Sequence, residues 1–162
     1  MTKTSFTVQR DKLQVVMERI FNAPRELIWK IISDPKMIPQ WWGPARFETV
    51  VDKMDFRAGG EWRFIHKAGG EQYSFHGVYG EIIPDEKISD TFNYEPIGPG
   101  HEMVEILALA DLGNGTTRAV QVSVFHNIED LEAMVYSGME GGATETWERL
   151  AKLVEKPQQT IF

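Results

Sequence analysis

The feature that most constrains this chain is a strongly amphipathic segment near its C-terminal end, residues 138–155, preceded by little except short alternating runs. Met139, Ala143, Trp147, Leu150 and Val154 recur at spacings of four and three, the stripe of one helical face. Glu140, Glu145, Glu148, Arg149, Lys152 and Glu155 occupy much of the opposite face. Gly141 and Gly142 interrupt the pattern. A glycine inside a helix costs about 1 kcal/mol relative to alanine. The pair therefore implies either very close packing or an open space beneath that part of the helix.

Strands are the available cover for such a helix. Residues 61–68 and 71–83 flank Gly69-Gly70, a short hairpin-turn signal. A two-residue loop sets Phe64 opposite Phe75, Trp62 opposite Gly77 and His66 opposite Tyr73. One face is then Trp62, Phe64, His66, Tyr73, Phe75, Gly77 and Tyr79. The other is Glu61, Arg63, Ile65, Lys67, Gln72, Ser74 and His76. A one-residue slip would mix the two sets, so the pattern selects its own register.

The remaining segments extend the same plan. Residues 5–8 form a short edge strand. Residues 13–21 alternate as a strand with Val15, Met17, Arg19 and Phe21 on one face. Arg19 would need a partner if buried and is expected to reach solvent from the strand end. Pro24 and Glu26 open a helix whose apolar face is Leu27, Ile28, Ile31 and Ile32, and Pro35 stops it. A second short helix, about 35–40, leads into Trp41-Trp42-Gly43-Pro44. Adjacent tryptophans are expected to diverge, one into the core or pocket mouth and the other outward toward a partner. Strands follow over 46–56 and 87–95, the latter with Ile88, Asp90, Phe92 and Tyr94 on one side. The runs 102–112 and 116–126 flank Gly113-Asn114-Gly115, a second hairpin signal. Val120, Val122 and Val124 share a face there, but alternation does not say which face is inward. A helical run over 128–137 ends at Gly138.

Sequential hairpins with one apolar face must bury it. The expected object is an α+β, helix-grip fold: a curved antiparallel β-sheet wrapped around a long C-terminal helix, with two short helices after the first main strand. Aromatics beyond the helix's reach would line a cavity.

At 162 residues the chain is the size of one domain, 1–162. Its net charge of −7 and lack of a clustered basic run argue against nucleic-acid binding. Cysteine is absent, which removes disulfides and thiolate metal sites. The first residues lack the apolar core of a signal peptide, and no run approaches the ~20 apolar residues of a membrane span. A cytoplasmic protein is expected.

Catalytic signatures are missing: no nucleophile elbow, no phosphate-cradling loop and no His-Glu-x-x-His. His66 and His76 fall on opposite faces of their hairpin, so a shared metal is not expected. His66 has the best surroundings for acid–base work but is expected at the pocket rim. Asp90 and Glu105 interrupt apolar strands. Buried, they would carry raised pKa values; the expectation is that they face outward or pair with Arg19 or Arg63. The stronger signal is apolar. Trp41, Trp62, Phe64, Tyr73, Phe75, Tyr79, Phe92, Tyr94, Met139, Gly142 and Trp147 are expected to line a ligand pocket. The hydroxyls of Tyr73, Tyr79 and Tyr94 would add placed polar groups. Met103, Met134 and Met139 would form adaptable walls.

Five motifs also come in the order and spacing of a known family. They are Arg-Ile-Phe-Asn-Ala-Pro-Arg-Glu-Leu-Ile-Trp (19–29), Asp-Pro followed by Gln-Trp-Trp-Gly-Pro (34–44), Phe-Arg-Ala-Gly-Gly (56–60), Phe-His-Gly-Val-Tyr (75–79) and Gly-Met-Glu with Trp-Glu-Arg-Leu (138–150). The chain resembles, over about 15–155, the homologues of the activator of the heat-shock-protein-90 ATPase. These belong to the START-like (SRPBCC) superfamily that includes the birch-pollen allergen. The resemblance implies the same architecture, with a hydrophobic pocket between sheet and helix. It implies relatives that bind lipids, hormones or polyketides. The expected function is binding of a hydrophobic or aromatic small molecule, lipid-like or polyketide-like, with no catalytic residue, metal or cofactor. The alternatives are a cyclase or hydrolase on the same scaffold, using a pocket tyrosine, His66 or Asp90, and a chaperone-associated interaction module. A homodimer is left open.

Overall fold

The computed structural model describes residues 3–155. The chain runs β1 (Ser5–Gln9), β2 (Gln14–Phe21), α1 (Arg25–Ile32), α2 (Ile38–Trp41), β3 (Glu48–Met54), β4 (Glu61–Ala68), β5 (Glu71–Ile83), β6 (Lys87–Tyr94), β7 (Met103–Gly113), β8 (Thr116–Val124), α3 (Ile128–Tyr136) and α4 (Met139–Val154). All the strands join one antiparallel, eight-stranded sheet in the order β1-β2-β8-β7-β6-β5-β4-β3. β3 to β8 form a meander, and β2 closes against β8. The pair α1 and α2 carries the chain from β2 to the opposite edge. Register shifts between Val51 and Lys53, between Tyr79 and Ile82, and between Asp111 and Gly113 interrupt the ladders. Such bulges bend strands and increase their twist, which lets the sheet curve around α4.

The register of β4 on β5 pairs Trp62 with Gly77, Phe64 with Phe75 and His66 with Tyr73, the pairing that the aromatic alternation selects. Gly77 is needed there. A Cβ at this position would collide with the carbonyl of Thr91 and the indole nitrogen of Trp62. The bare backbone is what lets the Trp62 ring lie across β5.

α4 meets the sheet through its C-terminal half, where Trp147, Leu150, Ala151 and Val154 are buried. Trp147 meets the fully buried Phe21 edge-on at 5.6 Å. Replacing a phenylalanine so enclosed by alanine costs about 3–5 kcal/mol. α3 begins with an Asn127 cap whose Oδ1 accepts from the Asp130 amide at 2.8 Å. It covers a smaller cluster of Val15, Met103, Phe125 and Leu131. Gly138 takes a left-handed backbone, φ 90°, and makes the break between α3 and α4.

Two expectations about individual residues are corrected. Arg19 does not reach out into solvent. Its side chain is 9% exposed, with a guanidinium nitrogen 3.8 Å from the Glu155 carboxylate. The group also lies 5.3 Å from the centre of the Phe21 ring and donates to Thr4 Oγ1 at 3.3 Å. The burial of the β2 face forces this pairing, because an uncompensated buried cation is costly. Arg63 is no partner for the acidic residues of β6 and β7. It points to the convex side, where it holds Glu95 with two bonds of 2.9 and 3.0 Å and Asp52 at 3.2 Å.

The inward face of the β7–β8 hairpin is the less apolar one. Thr117, Ala119 and Ser123 are buried with Met103 and Leu109, while Val120, Val122 and Val124 lie on the convex side.

Candidate functional site

Between the concave sheet and α4 lies a cavity of about 1100 Å3. The contact of α4 with the sheet is uneven. Its last turns are packed, whereas Gly142 borders the cavity and a Cβ there would meet only Pro44, at 3.9 Å. Gly141 is exposed to solvent, so of the two glycines Gly142 is the one over open space beneath the helix.

Each element contributes wall residues through its alternation. β4 supplies Trp62 and Phe64, β5 supplies Tyr73, Phe75 and Tyr79, and β6 supplies Phe92 and Tyr94. Trp41 enters from the end of α2, and α4 adds Met139, Gly142 and Trp147. All the residues anticipated as pocket-lining therefore border one cavity, as do Met103 and Met134. The tyrosines are not equivalent. The Tyr73 hydroxyl donates outward to the Glu71 carboxylate. Tyr79 is buried, and burial, then the neighbouring Asp90, pushes its pKa up.

Trp41 and Trp42 both turn inward, contrary to the expected divergence. Trp42 stands within 5.0 Å of Phe64, 5.1 Å of Phe75, 5.1 Å of His66 and 6.2 Å of Trp62, centre to centre. Most of these contacts are edge-to-face, the geometry that aromatic quadrupoles favour. A break from helix to extended backbone at Trp42, ψ 122°, lets successive side chains enter the same space.

His66 is deeper than a rim residue. It is 4% exposed, stacks on Phe47 at 4.8 Å and meets Phe75 at 4.8 Å. Its Nε2 has no hydrogen-bond partner. Burial, then the positive charges of Arg46 and Arg149, lower its pKa to about 4. At neutral pH it is an uncharged, aromatic part of the wall.

The polar part of the site crosses the middle of the sheet. Tyr79 on β5, Asp90 on β6, Glu105 on β7 and Ser123 on β8 occupy successive opposed positions, each facing the cavity. Gln121 Nε2 donates to Glu105 Oε2 at 3.2 Å. Asp90 Oδ1 is buried without a hydrogen-bond partner. The expectation that Asp90 and Glu105 face outward is thus overturned. Their remaining exposure is to the cavity. Burial, reinforced by the Glu105 charge, holds the Asp90 pKa well above the usual carboxylate range. Burial likewise lifts Glu105 to about 7, while its hydrogen bond with Asp90 pulls the other way. Two carboxyls so placed hold a proton between them near neutrality.

Sequence reasoning missed Gln121 and Ser123. The signal was present as a polar alternation, Gln121 and Ser123, between valines that looked like the better core face. Among the described residues no three histidine, aspartate or glutamate side chains converge as a metal site would require.

Comparison with known proteins agrees with this architecture. The model of the family described as Activator of Hsp90 ATPase homolog 1-like protein matches residues 22–155. The chain belongs to this family. No curated protein matches it. Among solved structures, a protein from Arthrobacter aurescens shares the fold with a TM-score of 0.86 at 20% identity, covering 97% of this chain and 94% of that one. A Mycobacterium smegmatis protein gives 0.84 at 22% identity, with 96% and 99% covered. A Chromobacterium violaceum protein gives 0.75 at 26% identity, with 90% and 99% covered. The family motifs map onto the cavity: the segment 34–44 supplies Trp41 and Trp42, the segment 75–79 supplies Phe75 and Tyr79, and the segment 138–150 supplies its helical roof. Among the described residues no helix is long and apolar enough to cross a membrane.

Proposed function

We propose that this protein binds a hydrophobic or aromatic small molecule, lipid-like or polyketide-like, between its sheet and α4. The observation that carries this reading is the cavity itself. At about 1100 Å3 it is larger than packing defects and matches the size of ligand sites, with aromatic walls and few polar groups. Unpaired polar atoms of its wall residues, among them Trp41 Nε1, Trp62 Nε1, His66 Nε2 and Asp90 Oδ1, are groups that a ligand or ordered water would satisfy. A cytoplasmic setting is in keeping with a chain that has no cysteine.

The test is thermal unfolding against a panel of fatty acids, sterols, flavonoids and polyketide-like aromatics. A ligand at a hundred times its Kd stabilises by about 2.7 kcal/mol, roughly 5–10 °C for a domain of this size. No shift with any member would argue against the reading. A second reading, acid–base turnover of the bound molecule, is favoured by one observation. A carboxyl kept protonated near neutrality beside a second carboxyl is a general acid with a neighbouring base. Mass spectrometry of a panel hit after incubation would show a changed product for an enzyme and the unchanged compound for a binder.

A further inference from the structure

Nothing in the apolar wall explains why polar residues cross the floor of the cavity. We propose that the opposed pair Asp90 and Glu105 is a recognition site for a cationic nitrogen, a protonated amine carried by an otherwise apolar ligand. The inference rests on the reading that the cavity binds a hydrophobic small molecule, and it names the polar group of that molecule.

The geometry supports it in three steps. First, the two carboxyls are side by side, opposed across β6 and β7, and both border the cavity. Asp90 is almost wholly withdrawn from bulk water, and its Oδ1 accepts no hydrogen bond. A buried acceptor left in this way costs about 1–3 kcal/mol, which a ligand donor would recover.

Second, among the described residues no counter-charge borders the pair. Arg46 is the cationic residue that borders the cavity, and it is committed to the Phe47 ring, 4.6 Å from its centre. Phe47 packs beside Tyr73. Tyr73 lies six residues along β5 from Tyr79, the neighbour of Asp90, or about 20 Å of strand. The groups set beside the pair are uncharged: the phenol of Tyr79 from β5, and Gln121 and Ser123 from β8. The α4 residues that border the cavity, Trp147 and Leu150 among them, are uncharged as well. His101 is already paired with Asp130 at 2.7 Å.

Third, the charges match. With one proton between them the carboxyls carry a single net negative charge, which one ammonium neutralises. An ammonium also has three N–H donors for the carboxyl oxygens and the Ser123 hydroxyl. A carboxylate ligand would be repelled. An alcohol would satisfy a hydrogen bond and leave the charge unbalanced. A metal ion finds too few ligands.

The test compares three probes with one chain length, n-decylamine, n-decanol and decanoate, each titrated calorimetrically at pH 7 below its micelle concentration. The amine is expected to bind at least about tenfold more tightly than the alcohol, as charge-assisted bonds in an apolar site do, with decanoate weakest. In the double variant, Asp90→Asn with Glu105→Gln, the amine should lose its advantage and bind no more tightly than decanol. The double change removes the buried charge, so folding is expected to survive, and the ranking on the unaltered protein tests the inference without it. Decanoate or decanol binding as well as decylamine would overturn the inference and leave the pocket reading standing. So would an amine preference that persists in the double variant. Binding of none of the three overturns the inference as well, and the pocket reading is then decided by the separate panel of sterols and aromatics.

Discussion

Arg149 on α4 donates from Nη1 to the carbonyl oxygen of Gly43 at 2.6 Å and from Nη2 to that of Pro39 at 3.3 Å. One guanidinium thus fastens the turn after α2 to the helix over the cavity. The neighbouring turns of α4 add to it: Thr146 accepts from the Gly43 amide at 3.1 Å and Glu145 from the Ala45 amide at 2.8 Å. Arg149→Met keeps the aliphatic stem and leaves two part-buried carbonyls without their donor. It should lower unfolding free energy by about 1–3 kcal/mol, read from the midpoint of urea denaturation. Arg149→Lys should recover only part of that, because an ammonium cannot span both carbonyls as the planar fork does.

The glycine pair of α4 gives two opposite outcomes from adjacent positions. A methyl on Gly141 meets no atom within 4 Å. Gly141→Ala should therefore stabilise by about 0.5–1 kcal/mol through helix propensity alone, and leave ligand-induced thermal shifts unchanged. Gly142 borders the cavity. Gly142→Phe would place a ring in that space, so it should abolish the thermal shift given by a panel ligand without lowering the melting temperature of the free protein. A retained ligand shift in Gly142→Phe would place the ligand elsewhere.

Much of this was legible in the chain, and the illegible part has one cause. The β4–β5 register could be read because its two faces differ sharply, Trp62, Phe64 and Phe75 against Glu61, Lys67 and Gln72. The α4 stripe could be read because helical spacing is strict; of the glycines that interrupt it, Gly142 borders the cavity and Gly141 faces solvent. The β7–β8 hairpin was ambiguous because alternation reports which face is apolar, and only a solid core makes that the inner face. Here the inner face borders a cavity, so Glu105, Gln121 and Ser123 point in and Val120, Val122 and Val124 point out. Asp90 and Arg19 failed for related reasons: one was assigned outward by its charge, the other to solvent by its length. Local rules break where a site is built. The family match over 22–155 agrees with the fold read from the chain.

His66 should make the protein sensitive to mild acid. Its folded pKa is depressed to about 4 from 6.5, first by burial. The unfolded chain therefore binds more protons between those values, and stability rises with pH across that window. The contribution is fully present above 6.5 and is lost as pH falls toward 4. Removing this group should favour His66→Gln over the unaltered protein more at pH 4.5 than at pH 7, checked by the difference between their denaturation midpoints at those two values. A difference that is the same at both pH values would assign the effect to another group.

Glu105 should act in the opposite sense over an overlapping range. Its folded pKa is raised from 4.5 to about 7, so here the folded state binds more protons. Stability is fully present below 4.5 and declines as pH rises through 7. Glu105→Gln keeps the shape and removes the charge, so it should leave stability near pH 4 almost unchanged and raise it at pH 8 by on the order of 2 kcal/mol. In the unaltered protein the two slopes oppose each other between 4.5 and 6.5, and a flat profile there would conceal both. Denaturation midpoints of the two single variants, measured from pH 4 to 8, separate them. His66→Gln should then expose a fall in stability with rising pH, and Glu105→Gln should expose a rise. If Glu105→Gln destabilises at pH 8, the carboxylate has a partner that compensates its charge, and the net negative site beneath α4 is not there.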